Sequence, residues 1–287
     1  MELEIIKVIQ SIHNNILDNF AQGITMLGEQ YFYFLFLVIV FWHIDKRFGY
    51  KLGFVLISNG IINGAIKDIV NARRPIGVEG VRSLRIETAT GNSFPSGHSQ
   101  GAAAFWFLLM REFKKRWLYI LGTVLMIIIG LSRIYLGVHW PKDVAVGLII
   151  GIAWVYIGGK IFDYSVEKNN KHILLFFILP SLIGLLLFKS SDYLKAVAIG
   201  MGFYIGYAIE DKYVQFEEEA IPKIQVLKFL IGASGLLIIM VYFKKLMPKG
   251  NINDFIRYSL LGIWITAGAP FIFTRIFDSS REGITEQ

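Results

Sequence analysis

Cysteine is absent from all 287 residues, which removes disulfide scaffolds, zinc fingers, iron–sulfur centres and thiol catalysis together and leaves the redox compartment undetermined. Charge is also scarce: Asp, Glu, Lys and Arg make up 18%, against about a quarter in a typical soluble domain. Hydrophobic residues reach 54% and the mean hydropathy is +0.53, so soluble and disordered classes are excluded and an integral membrane protein remains. A net charge of +7 invites a nucleic-acid reading, which needs a basic face interleaved with exposed aromatics. The cations instead cluster between apolar stretches, as in Asp45-Lys46-Arg47 and Arg111 to Arg116, so no nucleic-acid partner is expected. The acidic start, Met1-Glu2-Leu3-Glu4, is unlike the basic n-region of a cleavable signal peptide, and insertion is expected to depend on internal helices.

What is present is a series of apolar segments. They run from about 30 to 44, 53 to 70, 98 to 112, 117 to 132, 143 to 162, 173 to 188, 192 to 209, 227 to 246 and 255 to 276, meeting or approaching the roughly 17–25 residues of a membrane helix. The fold class expected is all-α: a polytopic transmembrane bundle of about nine helices, within a range of about eight to ten. It is preceded by an amphipathic helix over Glu4 to Leu27, which mixes Ile5, Ile9 and Phe20 with Lys7, His13 and Asp18. A connection from Glu210 to Gln225, with Glu217-Glu218-Glu219, reads as a solvated linker without chemistry. Two others, Asn71 to Pro95 and Ser132 to Asp143, are separated by one helix pair and must emerge on the same membrane face.

That face gathers three polar clusters, and ionisable groups at membrane helix ends are costly unless paired or useful. Lys67 precedes Arg74-Pro75 by nearly two helical turns, so both cations share a side if the helix persists; alone, the pair reads as snorkelling cations. Pro95-Ser96-Gly97-His98 stands before an apolar run, where free helix amides, a hydroxyl and a close-approach glycine can cradle an anion; alone, it reads equally as a helix cap. Ser132-Arg133 is followed by His139 and Asp143. Gly137 suits a helix end and Pro141 the next helix start, so Asp143 can reach back to the imidazole and fix its tautomer. Pooled, the groups suit a tetrahedral oxyanion with a nucleophile and a second His for the leaving oxygen. A divalent metal on the two His and the Asp would be repelled by Lys67, Arg74 and Arg133.

In order and spacing these three clusters resemble the signature of the type 2 phosphatidic acid phosphatase superfamily, over residues 1 to 165. The resemblance implies His139 as the nucleophile that forms a phosphohistidine, Asp143 as its orienting carboxylate, and His98 as the acid that releases the leaving group and then activates water. Lys67, Arg74, Ser96, Gly97 and Arg133 would hold the phosphoryl oxygens, with no metal and no other cofactor. The activity implied is hydrolysis of a lipid phosphate or lipid diphosphate, the substrate partner staying in the bilayer. A lipid phosphotransferase and a non-enzymatic lipid or anion transporter are the alternatives, the second expecting charges near the midplane rather than at one end.

His13, His43 and His172 lie outside the clusters and read as interfacial or structural, and Asn71 and Asn92 as turn or cap residues. Arg73, Arg82 and Arg85 are near enough to greet a diphosphate or an anionic headgroup. Beyond residue 165, up to 287, the helices have no assigned role; their Gly-rich faces (Gly200, Gly202, Gly206; Gly232, Gly235) suit a structural appendage, a homodimer surface or a shaped lipid entrance, with kinks expected at Pro180 and Pro270. Lys46, Arg47, Lys51, Arg111 to Arg116, Lys160, Lys168 and Lys171 lie opposite the clusters, which puts the clusters on the extracytoplasmic side of what is expected to be the plasma membrane.

Overall fold

The computed structural model describes residues 1–246 and 248–277, and this part of the chain is helical throughout its regular structure. Two short helices come first, α1 (Glu2–Ser11) and α2 (Asn15–Thr25), in place of the single amphipathic helix expected. The break falls at His13-Asn14, where the Asn14 side chain accepts from the Leu17 amide at 2.9 Å and caps α2. Then follow α3 (Gln30–His43), α4 (Lys46–Val70), α5 (Gly97–Phe113), α6 (Arg116–Tyr135), α7 (Pro141–Glu167), α8 (Leu175–Gly184), α9 (Ser191–Ile209), α10 (Pro222–Leu246) and α11 (Asn251–Phe277).

All nine apolar segments are helical, but they are not nine clear crossings. Five helices, α4, α6, α7, α10 and α11, are long and apolar enough to span a bilayer; residues 15–28 and α3, bent by 47°, would make a sixth as one broken span. For three of the other four the reason is length: with 14, 17 and 10 residues, α3, α5 and α8 fall short of the roughly 20 that cover a ~30 Å hydrocarbon core. The fourth, α9, has 19 residues, but Asp192 and Lys195 in its first turns make it less apolar than the five. Pro180 lies inside α8, and α10 and α11 each widen for one π turn, at Ile238–Tyr242 and Trp264–Gly268.

The first half is built around α5, whose Ala102, Ala103, Ala104 and Phe105 are fully buried. Gly147 and Gly151 of α7 lie against its backbone, the small-residue contact that lets helices associate in lipid, where water supplies no drive. At one end of this bundle Lys51 pairs with Glu112 and Asp163, each at 2.9 Å, joining the start of α4 to the ends of α5 and α7. At the other end the two long connections meet, the Leu84 amide donating to the Leu136 carbonyl at 2.9 Å.

In the second half α9 lies between α4 and α11, with Gly202 against the Ser259 carbonyl. Asp68 of α4 accepts from the Ser190 amide at 2.9 Å and anchors the start of α9 at the same end as the two connections. The connection after α9 is only in part the solvated linker expected: Glu217 and Glu219 are exposed, but Glu210 and Phe216 are buried. The helix runs on through Val214, and Glu210 is 1% exposed, bonded to Lys46 at 3.1 Å and to Tyr50 at 2.6 Å. Lys228 is also buried and donates to the Glu217 and Glu218 carbonyls.

Candidate active site

Helix α4 ends at Val70 with Asn71 in the left-handed region, φ 49°, so it does not persist to Arg74 as the helical spacing supposed. Arg74 instead reaches in from the loop. Its Nε and NH2 donate to the carbonyls of Gly91, Thr90 and Asn92, and NH1 donates to the Val138 carbonyl and meets His139 Nε2, both at 2.9 Å. All of its N–H donors are engaged, which leaves the charge but no idle donor. Lys67, 6% exposed, donates to the Asn92 carbonyl at 2.7 Å while the Asn92 side chain donates to the Lys67 carbonyl at 2.9 Å. Asn92 is therefore more than a turn residue: its carbonyl holds two cations together.

His139 sits between α6 and α7 because of two local features. Gly137 takes φ +65°, and a Cβ there would fall 2.3 Å from the Arg82 carbonyl, so only glycine lets the chain leave α6 this closely. Pro141 opens α7, where its missing N–H costs nothing. The imidazole is 1% exposed. A guanidinium can only donate, so the Arg74 contact makes His139 Nε2 an acceptor and puts the ring proton on Nδ1. Nδ1 faces Asp143 Oδ2 at 3.4 Å. Burial, followed by the charges of Arg74, Arg133 and Lys67, holds the His139 imidazole well below its usual basicity, so it is neutral, with an unprotonated Nε2 lone pair that meets Arg74.

Asp143 is fully buried, and its Oδ2 accepts from the Trp140 amide at 2.9 Å and from the Ser93 hydroxyl at 2.5 Å. Ser93 was not singled out from the sequence. It stands in a Gly-Asn-Ser stretch that looks like any turn, and only the fold shows that it is fully buried beside the carboxylate.

Ser96 caps α5, its Oγ accepting from the Ser99 amide and hydroxyl at 3.4 and 2.9 Å, while its own amide donates to the Asp143 carbonyl at 3.0 Å. That backbone link sets the start of α5 beside the start of α7 and places Gly97 and His98 next to the imidazole pair. His98 Nε2 is buried without a hydrogen-bond partner among the described residues, within electrostatic reach of Arg133, His139, Lys67 and Arg74. Arg133 is fully buried on α6. Its NH1 donates to Thr25 Oγ1 at 2.9 Å, and its Nε and NH2 have no partner among the described residues.

Two of the three neighbouring arginines are committed elsewhere. Arg82 forms a two-pronged pair with Asp18, both contacts at 2.6 Å, and Arg85 pairs with Glu29 at 2.5 Å. Arg73 is exposed, and its carbonyl accepts from the Trp140 ring N–H at 2.9 Å. His13, His43 and His172 bond to the Gln10 carbonyl, Gln225 and Tyr204, away from this cluster. Among the described residues no three His, Asp or Glu side chains converge as a metal ligand set.

A model of the PAP2 superfamily matches residues 48–167, and a second, for the transmembrane extension of PAP2 superfamily phosphatases, matches 194–281. The chain belongs to the PAP2 superfamily. Lipid phosphate phosphatase delta of Arabidopsis thaliana is 27% identical over 75% of this chain and 57% of its own length. Phosphatidylglycerophosphatase B of Bacillus subtilis (strain 168) is 28% identical over 53% of this chain and 78% of its own. The crystal structure of Aquifex aeolicus LpxE superposes with a TM-score of 0.50 at 28% identity, covering 55% of this chain and 94% of that one. The chain thus spans a little over half the length of its plant relative. The PAP2 match contains every residue of the three clusters, and it begins after α1, α2 and α3.

Proposed function

We propose that this PAP2 protein hydrolyses a lipid phosphate or lipid diphosphate through a phosphohistidine on His139, without a metal. The observation that carries the reading is the Arg74–His139 contact, which leaves the nucleophilic lone pair on Nε2 and the proton on Nδ1. Nε2 attacks phosphorus, and the P–O bond to the lipid breaks. Before substrate binds, burial and the surrounding cations keep His98 neutral. The negative charge of a bound phosphate favours its protonated form, so it takes up the proton that the substrate brings and gives it to the leaving oxygen. It then takes a proton from water, which displaces phosphate by breaking the N–P bond. As Nε2 bonds to phosphorus its lone pair is consumed. Arg74 NH1 then loses its acceptor and turns to a phosphoryl oxygen, an interaction gained only on the way to the transition state. Lys67, with two ammonium donors beyond its bond to Asn92, Arg133, and the Ser96 and Gly97 groups bind the remaining oxygens. Ser93 and Asp143 hold the imidazole. The cations would repel a divalent ion from this pocket, which supports a metal-free mechanism.

The names of both relatives point to phosphate esters of lipids, and a site at membrane helix ends suits a substrate whose tail stays in the bilayer. Residues 1–165 form the catalytic part in this reading and 166–287 the additional helices. The test is phosphate release from a panel of lipid mono- and diphosphates in EDTA, with acid-labile phosphate trapped on the protein. Release by wild type and trapping lost in His139→Ala are expected; turnover dependent on an added metal, or undiminished in that variant, would refute it. The same reading places the site on the extracytoplasmic face of the plasma membrane, because the opposite end carries Lys46, Lys51, Arg111 and Lys114 to Arg116. The cysteine-free chain makes that measurable: Thr90→Cys should react with an impermeant maleimide on intact cells, and protection there would reverse the orientation.

A further inference from the structure

Residues 1–29 lie outside both family matches, yet five of their polar side chains bind the active-site end, Glu2 accepting from the Lys142 amide at 3.1 Å. Gln10 donates to the Arg82 and Tyr135 carbonyls at 2.6 and 2.7 Å and accepts from the Arg82 amide at 3.0 Å. Asp18 holds Arg82 and also accepts from the Tyr135 hydroxyl at 2.6 Å. Glu29 holds Arg85, and Thr25 accepts from Arg133. Gly28 lies under His98: a Cβ there would fall 3.2 Å from His98 Cβ and Cδ2 and 2.8 Å from Ile129.

One of these contacts touches the phosphate cradle directly. Thr25 and Arg133 are both fully buried, and among the described residues Thr25 is the one hydrogen-bond partner of the guanidinium. The bond uses NH1 and leaves Nε and NH2 unpartnered. In a guanidinium those two nitrogens share an edge, the fork that matches two oxygens of a phosphoryl group. An Arg side chain has many rotamers, and an acceptor at NH1 selects the one that presents this edge.

We infer that Thr25 is a positioning residue of the active site, holding Arg133 so that its Nε–NH2 edge faces the phosphoryl group, and that α1 and α2 belong to the catalytic machinery. This rests on the phosphohydrolase reading of the same site. Thr25 acts through Arg133 and need not touch substrate. The outer face of α1 and α2 exposes Ile5, Val8, Ile12, Ile16 and Phe20, so the segment that orients Arg133 also presents an apolar row at the membrane surface beside the site.

The experiment uses the full chain in lipid vesicles, with Thr25→Val, Thr25→Ser, Arg133→Ala and the Thr25→Val/Arg133→Ala double variant. Two readouts are taken: kcat and KM on a lipid monophosphate, and thermal stabilisation by inorganic phosphate. Thr25→Val should lose about tenfold in kcat/KM, as expected for one hydrogen bond to a charged group, and should weaken phosphate stabilisation. Thr25→Ser keeps the hydroxyl and should stay within about twofold of wild type. In the Arg133→Ala background the Val substitution should add nothing. Wild-type turnover and phosphate stabilisation in Thr25→Val, or a penalty that adds in full to Arg133→Ala, overturns the inference. Should Thr25→Val not fold, Thr25→Ala carries the same test. A wild-type protein that phosphate stabilises but that releases none from any lipid phosphate sinks the hydrolase reading instead, and leaves the phosphate arm to decide on Thr25.

Discussion

In the half built from α4 to α7, Arg133 is fully buried with Nε and NH2 unpartnered, and His98 buries an unpartnered Nε2. In the half from α8 onward Glu210 and Lys228 are almost as buried, yet Glu210 meets Lys46 and Tyr50, and Lys228 meets the Glu217 and Glu218 carbonyls. Leaving a buried polar group unpaired costs about 1–3 kcal/mol, and more for a charge, so a fold keeps such groups where a ligand completes them. The same residue classes at similar depth therefore do two jobs. In the proposed reading the open donors of Arg133 and His98 line the cup for a phosphoryl group, while the closed pairs of Glu210 and Lys228 join helices.

Substitutions should separate the two kinds. The largest effect is expected at His139, whose Nε2 lone pair meets Arg74 and is the proposed nucleophile. His139→Ala should lower kcat on the order of 10⁴-fold while the protein remains folded, because removing a nucleophile leaves only the binding contribution. A smaller loss is expected at Ser93, whose hydroxyl meets Asp143 Oδ2 together with the Trp140 amide and His139 Nδ1. Ser93→Ala should reduce kcat about tenfold with KM little changed, since the imidazole loses orientation and the phosphate cradle does not. A raised KM at constant kcat would move Ser93 from positioning to substrate binding.

The pH profile sharpens the comparison without removing the site. His139 is kept neutral first by burial and then by Arg74, Arg133 and Lys67, so its protonated form is disfavoured. Activity that depends on its lone pair should persist on acidification below the ordinary imidazole midpoint of 6.5, and should fall only as the lowered midpoint is passed. Arg74→Gln removes one of the opposing cations. The protonated imidazole becomes less unfavourable, the midpoint rises, and the acid limb of kcat/KM should move up toward 6.5. An acid limb that stays in place, or moves down, would show that Arg74 does not set the state of His139.

Much of this was legible in the sequence, for identifiable reasons. Long apolar runs are a strong signal, and each of the nine segments became a helix; the count of crossings was not, because α3, α5 and α8 stop short in length and α9 carries Asp192 and Lys195 in its first turns. The clusters at Lys67, Ser96 to His98 and Arg133 to Asp143 stood out because ionisable groups are rare in such a chain. Ser93, Asn92 and Thr25 did not, since each acts through a single hydroxyl or carbonyl whose neighbour lies 46 to 108 positions away or across a loop. The fate of Arg82 and Arg85 was hidden likewise: their partners, Asp18 and Glu29, are ordinary surface residues of an amphipathic helix until the fold places them.

The smallest effect on catalysis is expected where the buried charge is closed. Glu210→Gln keeps the shape of the side chain but leaves the Lys46 ammonium without its counter-charge and weakens the bond from Tyr50. Because the Lys46 side chain is 30% exposed, water screens part of the loss, and about 2 kcal/mol of stability is expected to go rather than the 3–5 typical of a fully buried pair. Thermal unfolding should report that loss while kcat/KM on a lipid phosphate stays within about twofold of wild type, since the contact lies at the end of α4 remote from Lys67. If Glu210→Gln instead lowered kcat with its unfolding temperature unchanged, the joint between α4 and the connection after α9 would be coupled to chemistry at the far end of the same helix. The second half could then no longer be read as architecture, and the division between open and closed buried charge would fail at its clearest example.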